Sequence, residues 1–403
     1  MWRWAIVLVL LAVWARFADA HAWSLFSFYK RWLSRAFVSS RPTVVEPATD
    51  TFPGIPIPAP AADFEQETSW ETHGRLGRPP PDTGNDGPRS GESSPELLLC
   101  CAVNLNELDE AASVRRAGSF VFSTDYIGGP DVGWVPTGDY LDRLPKARRK
   151  DVTVLATMAI SGAAFSPGMG KKSMGAIGGL MALVNARLGV WLPHPRAVQN
   201  LPNRKNWPRW IARPGWTWWW REVIPKFSGD ASYLYVSDGG RWENLGLIEL
   251  LRRGCNRVYL VSAAGDGAQG VGTIGEAIAL AHEELGIEIE GLDPDHLRAP
   301  DGDPAEDEEV LVHADGTIQR FAPAAHVIGT LRLTGDNEPY GKIIVLEANL
   351  TTGIRWDIQA YAEQHPQIPD DSTLDQFFDH RQFESYRSLG YHQMSEALTA
   401  APL

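Results

Sequence analysis

The first residue with a type and setting suited to chemistry is Ser161, in the stretch TMAISGAAFSPGMG (157 to 170). An apolar run precedes it, and the residues two positions before and after it, Ala159 and Ala163, are small. A nucleophile elbow needs small residues there because the turn that exposes the serine oxygen is very tight. The amide of the next residue, Gly162, would then donate to an oxyanion. The pattern predicts a nucleophilic serine, and an ordinary turn from a strand to a loop is the alternative.

The second such residue is Asp238, in the stretch YLYVSDGGRWENLGLIELLRRG (233 to 254). A strand-like run ends at Asp238, Gly239 and Gly240 make a turn, and a helix-like run follows. In open α/β sheets, ligands bind at the carboxyl ends of the strands. Asp238 would therefore be the base for a nucleophile at the same edge, or it would only cap the turn.

A sheet is needed to position both residues, and the rest of the chain predicts one. Strand-like runs and helix-like runs of about 10 to 15 residues alternate, which indicates an α/β domain with a mostly parallel sheet. The predicted strands are 96–105, 118–129, 152–160, 233–237, 257–263, 329–333 and 341–350, and the predicted helices are 176–188, 243–254 and 274–286.

The stretches AISGAA (159 to 164) and VSDGGRWENLGLIELLRRG (236 to 254) resemble the patatin-like serine hydrolases. SLFSFYKRWLSRAF and STLDQFFDHRQFESYRSLG are similar to a bacterial membrane-associated group within that family, so the likeness covers most of residues 24 to 36 and 96 to 392. The resemblance implies a patatin-like three-layer α/β/α fold with a mostly parallel central sheet. It also implies a lipid acyl hydrolase of the phospholipase or esterase type, in which Ser161 is the nucleophile and Asp238 the base, without histidine, metal or cofactor. An acyl-serine intermediate would form and be hydrolysed.

The oxyanion hole is where this chain departs from the family. A Gly-Gly-Gly-x-Arg loop supplies one donor in patatin-like enzymes, and no such loop precedes Ser161 in this sequence. The nearest glycine pair is in DYIGGP, so Gly129 is the candidate that would join Gly162. Losing one oxyanion donor costs on the order of 100- to 1,000-fold in rate. A catalytically impaired, membrane-associated scaffold or lipid-binding domain is therefore the alternative function.

A tryptophan-rich segment lies between the serine and the aspartate. NWPRWIARPGWTWWWREVIP (206 to 225) holds six of the chain's 16 tryptophans. Tryptophan favours the boundary between lipid and water, so Trp218 and Trp219 are predicted to contact the lipid or ester substrate. The alternative is a loop that packs against the sheet.

The N-terminal part of the chain predicts a membrane-associated protein. Residues 1–20 fit a signal peptide or a membrane anchor, and residues 21–40 fit an amphipathic juxtamembrane segment or a helix packed on the domain. Residues 41–97 read as a Pro-rich linker or disordered insertion, and residues 98–395 as the hydrolase domain. We expect location at a membrane through the hydrophobic N-terminal segment, or secretion after its cleavage.

Composition excludes several classes of function. The net charge of −13 argues against a nucleic-acid partner, because phosphate binding needs concentrated Lys and Arg. The three cysteines have neither a CxxC nor a Cys/His spacing, so no zinc site and no disulfide framework is predicted.

Overall fold

The computed structural model describes residues 26–37, 96–105, 117–144, 146–162, 189–200, 218, 221, 228–264, 271–371 and 379–402. The chain divides into two compact units, Met1–Trp242 and Glu243–Leu403. The domain boundaries predicted above stay predictions, since the linker at 41–97 falls almost wholly outside the described residues.

The first unit combines short helices with a six-stranded sheet. Its strands are β1 (Leu99–Asn104), β2 (Ala117–Phe122), β3 (Tyr126–Gly129), β4 (Gly133–Pro136), β5 (Val190–Pro193) and β6 (Tyr233–Ser237). Its helices are α1 (Phe26–Phe37), α2 (Thr137–Arg143), α3 (Lys146–Arg149), α4 (Val154–Ser161) and α5 (Pro195–Asn200).

The sheet of this unit has the strand order β4-β3-β2-β1-β6-β5 and is curled into a half-barrel. Every neighbouring pair in it is antiparallel. The predicted three-layer fold with a mostly parallel central sheet is therefore wrong. One physical reason lies in the short connections at 123–125 and 130–132, because parallel neighbours need a crossover of a dozen or more residues.

One face of the half-barrel holds the core of the unit. Side chains alternate along each strand, so Cys101 and Val103 of β1 share this face with Leu234 and Val236 of β6. Helix α1 joins the same core through Phe26, which is buried, whereas Phe28 on its other side is exposed. Of the two interpretations of residues 21–40, the helix packed on the domain matches this contact.

The segment that leads to Ser161 is a helix, so the predicted strand at 152–160 is wrong. Thr153 caps helix α4, because its hydroxyl accepts a hydrogen bond from the amide of Ala156 at 3.1 Å. A short apolar run cannot be assigned to a strand or a buried helix from periodicity alone. Here the cap and the alanines at positions 156 and 159 favour the helix.

The second unit confirms most of its predicted elements. Its strands are β7 (Arg257–Ser262), β8 (Ile287–Glu290), β9 (Val310–Val312), β10 (Ile318–Arg320), β11 (His326–Leu333) and β12 (Gly341–Glu347). Its helices are α6 (Leu247–Arg252), α7 (Gly272–Leu285), α8 (Trp356–Ala362) and α9 (His380–Ala400). A four-stranded sheet has the order β7-β12-β11-β8, in which only β7 and β12 run parallel. Strands β9 and β10 form a separate pair.

The predicted location at a membrane needs correction. Within the described part of the chain, no helix combines the length and the apolar character that crossing a bilayer requires. The hydrophobic residues 1–20 lie outside that part, so the structure does not support a membrane anchor.

Candidate active site

Ser161 is the last residue of helix α4, and its side chain reaches strand β1. The Ser161 hydroxyl donates a hydrogen bond of 2.6 Å to the backbone carbonyl oxygen of Cys100. A serine hydroxyl carries a single proton, so while this hydrogen bond is formed Ser161 has no proton left to donate to another group. The nucleophile candidate is therefore held against the first strand of the sheet.

Gly162 ends the helix that carries the serine. Its amide donates to the carbonyl oxygen of Met158 at 3.0 Å, as the helical pattern requires. Its own carbonyl accepts a hydrogen bond of 2.9 Å from the hydroxyl of Tyr29 on helix α1. The amide predicted to donate to an oxyanion is thus engaged in the helix, and it must leave Met158 before it can bind a substrate oxygen.

Asp238 directly follows strand β6, as the sequence predicted for that strand. One of its carboxyl oxygens, Oδ1, accepts a hydrogen bond of 3.0 Å from the amide of Gly240, so the residue caps the turn. Burial raises the pKa of Asp238 above the ordinary carboxyl value, although the Gly240 bond and the charge of Arg241 oppose the rise. Asp238 is therefore a turn residue that is also a stronger base than an exposed carboxylate.

The turn after β6 and the end of helix α4 meet at the carbonyl of Cys100. A Cβ atom added to Gly239 would lie 2.6 Å from the Cys100 oxygen, the same atom that accepts the bond from Ser161. Burial, the neighbouring Cys100 and the charge of Asp238 raise the pKa of the Cys101 thiol, whereas a hydrogen bond with the Ser161 side chain opposes the rise. The charge of Asp238 also acts on Tyr29. The structure thus brings the two candidate residues to one place, where the Ser161 proton is directed to Cys100 and not to Asp238.

Gly129 is not brought to this place. The register aligns Cys100 of β1 with Val121 of β2, and Val121 with Gly128 of β3. Neighbouring strands are about 4.8 Å apart, so this row separates Gly128 from Cys100 by roughly 10 Å. Close packing between strands explains the two glycines instead. A side chain at Gly128 would collide with the carbonyl oxygen of Gly133, and a side chain at Gly129 would collide with that of Ser119.

Trp218 packs on the face of the sheet opposite the core. Its ring meets Trp191 and Tyr233 edge to face, with centroids 5.0 and 5.1 Å apart, and the guanidinium of Arg221 lies 4.5 Å from its centroid. This agrees with a segment packed against the sheet, although the described residues Trp218 and Arg221 are helical and do not lie in a loop. Trp219 lies outside the described residues, and a substrate-binding role for both tryptophans stays a prediction.

His194 serves the backbone around it. Its Nδ1 accepts from the amide of Arg196 at 3.0 Å, so its Nε2 carries the proton and donates to the carbonyl of Gly229 at 2.8 Å. Burial lowers the pKa of His194, which keeps the ring neutral. Both ring nitrogens of His194 are hydrogen-bonded to backbone groups, so His194 connects two loops.

Two of these neighbours, Tyr29 and Cys100, have no signal in the sequence. Tyr29 lies 133 positions before Gly162, and Cys100 lies 61 positions before Ser161. Only folding makes them neighbours. The presence of a glycine directly after the candidate nucleophile does not indicate which side chain will donate a hydrogen bond to the glycine carbonyl. Among the described residues, no group of three or more His, Cys, Asp or Glu side chains could hold a metal ion.

Comparison of the chain with protein-family models and with curated proteins finds no match. The resemblance to patatin-like hydrolases therefore stays a prediction that depends on the residues quoted above.

Proposed function

We propose that this protein is an ester hydrolase acting on lipid acyl esters, with Ser161 as nucleophile and Asp238 as general base. The observation that carries the proposal is that Ser161 and the turn after β6 both reach the Cys100 carbonyl: Ser161 donates to it at 2.6 Å, and Gly239, the residue next to Asp238, packs against it. A nucleophile beside a partly buried base is the arrangement that acyl transfer requires.

In the proposed reaction, Ser161 first rotates its hydroxyl away from Cys100. Its oxygen attacks the ester carbonyl carbon while Asp238 takes the hydroxyl proton, and the carbonyl oxygen becomes an oxyanion. The oxyanion collapses, the carbon–alkoxide bond breaks, and protonated Asp238 returns the proton to the leaving alcohol. Water then attacks the acyl-serine while Asp238 takes one of its protons. The second oxyanion collapses, the bond between the acyl carbon and the Ser161 oxygen breaks, and Asp238 returns the proton to Ser161 as the acid leaves.

The raised pKa of Asp238 suits this role. A base is most effective when its pKa approaches the working pH, and burial moves the Asp238 carboxyl in that direction. The carboxylate can therefore take the place that histidine has in other serine hydrolases.

A second candidate function is a lipid-binding or scaffold module without hydrolytic activity. It is favoured by the bond from the Gly162 amide to Met158 and by the distance of β3 from the serine, since neither predicted oxyanion donor is free at Ser161. The two functions differ in one property, the reactivity of Ser161.

That property is tested with a fluorophosphonate probe and with hydrolysis of p-nitrophenyl butyrate. We expect the parent to be labelled covalently and Ser161→Ala not to be labelled. We also expect turnover by Ser161→Ala to be lower than that of the parent by roughly 1,000-fold or more. Ser395→Ala is the matched control, because the Ser395 hydroxyl also donates to a backbone carbonyl, that of Tyr391 at 2.7 Å. Turnover that survives in Ser161→Ala overturns the hydrolase, and folded parent protein without labelling supports the binding module.

A further inference from the structure

Helix α1 packs beside the helix that carries the candidate nucleophile. Phe26 and Tyr29 of α1 belong to the same core cluster as Ala156, Ala159 and Ile160 of α4. Tyr29 is only 6% exposed, so its ring is part of the core while its hydroxyl remains a polar group that needs a partner.

The partner of the Tyr29 hydroxyl is the residue directly after the nucleophile. The last carbonyls of a helix have no acceptor role within that helix, and they need donors from elsewhere. Tyr29 supplies such a donor to the Gly162 carbonyl at 2.9 Å, while the Gly162 amide is bonded to Met158 at 3.0 Å. Gly162 is therefore held on both sides, by its own helix and by α1.

The tyrosine keeps its proton for this task. Burial and the nearby charge of Asp238 raise the pKa of Tyr29 to about 12. The hydroxyl therefore stays protonated at neutral pH and can donate to the Gly162 carbonyl.

We propose that Tyr29 is a positioning residue for Ser161, holding the Gly162 carbonyl so that the Ser161 oxygen stays beside the Asp238 turn. This inference depends on the proposed function of Ser161. It makes Tyr29 part of the support of the active site, although Tyr29 does not touch the reacting atoms in the proposed mechanism.

The test compares full-length parent, Tyr29→Phe and Phe26→Leu. Tyr29→Phe retains the ring and loses only the hydroxyl, so we expect kcat for p-nitrophenyl butyrate to fall about tenfold, the factor of one lost hydrogen bond, with KM unchanged. Phe26→Leu disturbs the packing of α1 without removing a hydrogen bond, and we expect it to lower the melting temperature at least as much while kcat stays close to that of the parent.

Hydrogen exchange gives a measurement that does not depend on activity. In Tyr29→Phe, we expect a peptide covering residues 154–162 to exchange several-fold faster, because Gly162 is then held on one side only. Unchanged exchange, an unchanged kcat, or an equal loss of kcat in Phe26→Leu would each overturn the role of Tyr29. If Ser161→Ala still abolishes turnover in that case, the proposed function survives without this inference. Turnover that persists in Ser161→Ala removes both.

Discussion

Ser161 is the last residue of a helix and Asp238 directly follows a strand, but the hydrogen bonds that hold the two residues differ in sequence range. The Ser161 hydroxyl bonds to a strand 61 positions away, and the next residue is held by a tyrosine 133 positions away. The Asp238 carboxylate bonds to the amide of Gly240, only two positions away. The candidate base is therefore positioned mainly by its own turn, whereas the candidate nucleophile is positioned by the tertiary fold.

This difference has a consequence for substitutions. Changes within the turn should act through the chemistry of Asp238 and through its contact with β1. Substitutions at residues that are far from Ser161 in sequence but contact its surroundings, such as Tyr29, should change the position of the Ser161 hydroxyl.

The largest expected effect belongs to Asp238→Asn. The asparagine side-chain oxygen can still accept from Gly240, so the turn and the melting temperature should be retained. The base is lost, and we expect kcat for p-nitrophenyl butyrate to fall by roughly 100- to 10,000-fold. Asp139→Asn, at an exposed position of helix α2, is the control and should leave kcat unchanged. Full turnover in Asp238→Asn would mean that the residue is a turn cap only.

A smaller effect is expected for Gly239→Ala, which tests the contact of the turn with β1. The added Cβ would lie 2.6 Å from the backbone oxygen of Cys100, and backbone in the middle of a sheet cannot easily move away. We expect the free energy of unfolding in urea to fall by about 1 to 3 kcal/mol. Gly138→Ala is the matched control, because nothing lies within 4 Å of its added Cβ and alanine favours a helix. Equal stability of the two variants would contradict the contact.

The smallest expected effect concerns pH. The proposed base acts in its ionised form, so kcat/KM should fall as the pH drops through the pKa of Asp238, which burial raises above the ordinary carboxyl value. Arg241 lowers this pKa, so Arg241→Gln should raise it and move the acid limb of the profile to higher pH. Arg143→Gln, on helix α2, should leave the limb in place. A shift to lower pH in Arg241→Gln would contradict the electrostatic role of Arg241.

The same pKa has a consequence for stability. A folded-state pKa above the unfolded value means that the folded protein binds the proton more tightly. The contribution of Asp238 to the free energy of unfolding therefore decreases as the pH rises from the ordinary carboxyl value through the raised one. Asp238→Asn should remove this part of the pH dependence, which thermal melting over that range would measure.

The sequence predicted the Asp238 junction better than the Ser161 junction. The run Tyr233–Ser237 forms the expected strand, and helix α6 follows the turn. A short run rich in tyrosine and valine and the two glycines that follow Asp238 are local signals, so the residues themselves carry them. The run before Ser161 is apolar and short, and only the Thr153 cap and the packing of α4 decide that it is helical.

Strand direction could not be predicted from the chain in the same way. The elements at 257–263, 274–286, 329–333 and 341–350 were expected, and all of them form. Their strand pairing agrees only in part with the expected parallel sheet, because β7 and β12 run parallel whereas β11 is antiparallel to both of its neighbours. Gly129 shows the same limit, since a glycine that allows strands to approach closely looks in sequence like one that donates to an oxyanion.

The sequence by itself determined the turn at Asp238, several strands, among them β1, β6, β7, β11 and β12, the helices α6 and α7, and the residue types on which the proposed acyl transfer depends. These depend on short-range backbone preferences and on the type of each side chain. Only the tertiary structure decided that β1 and β6 pair antiparallel, that Ser161 and Gly239 meet at the Cys100 carbonyl, and that Tyr29 holds Gly162. Those contacts join residues far apart along the chain, and their free energy is gained only when the whole core packs.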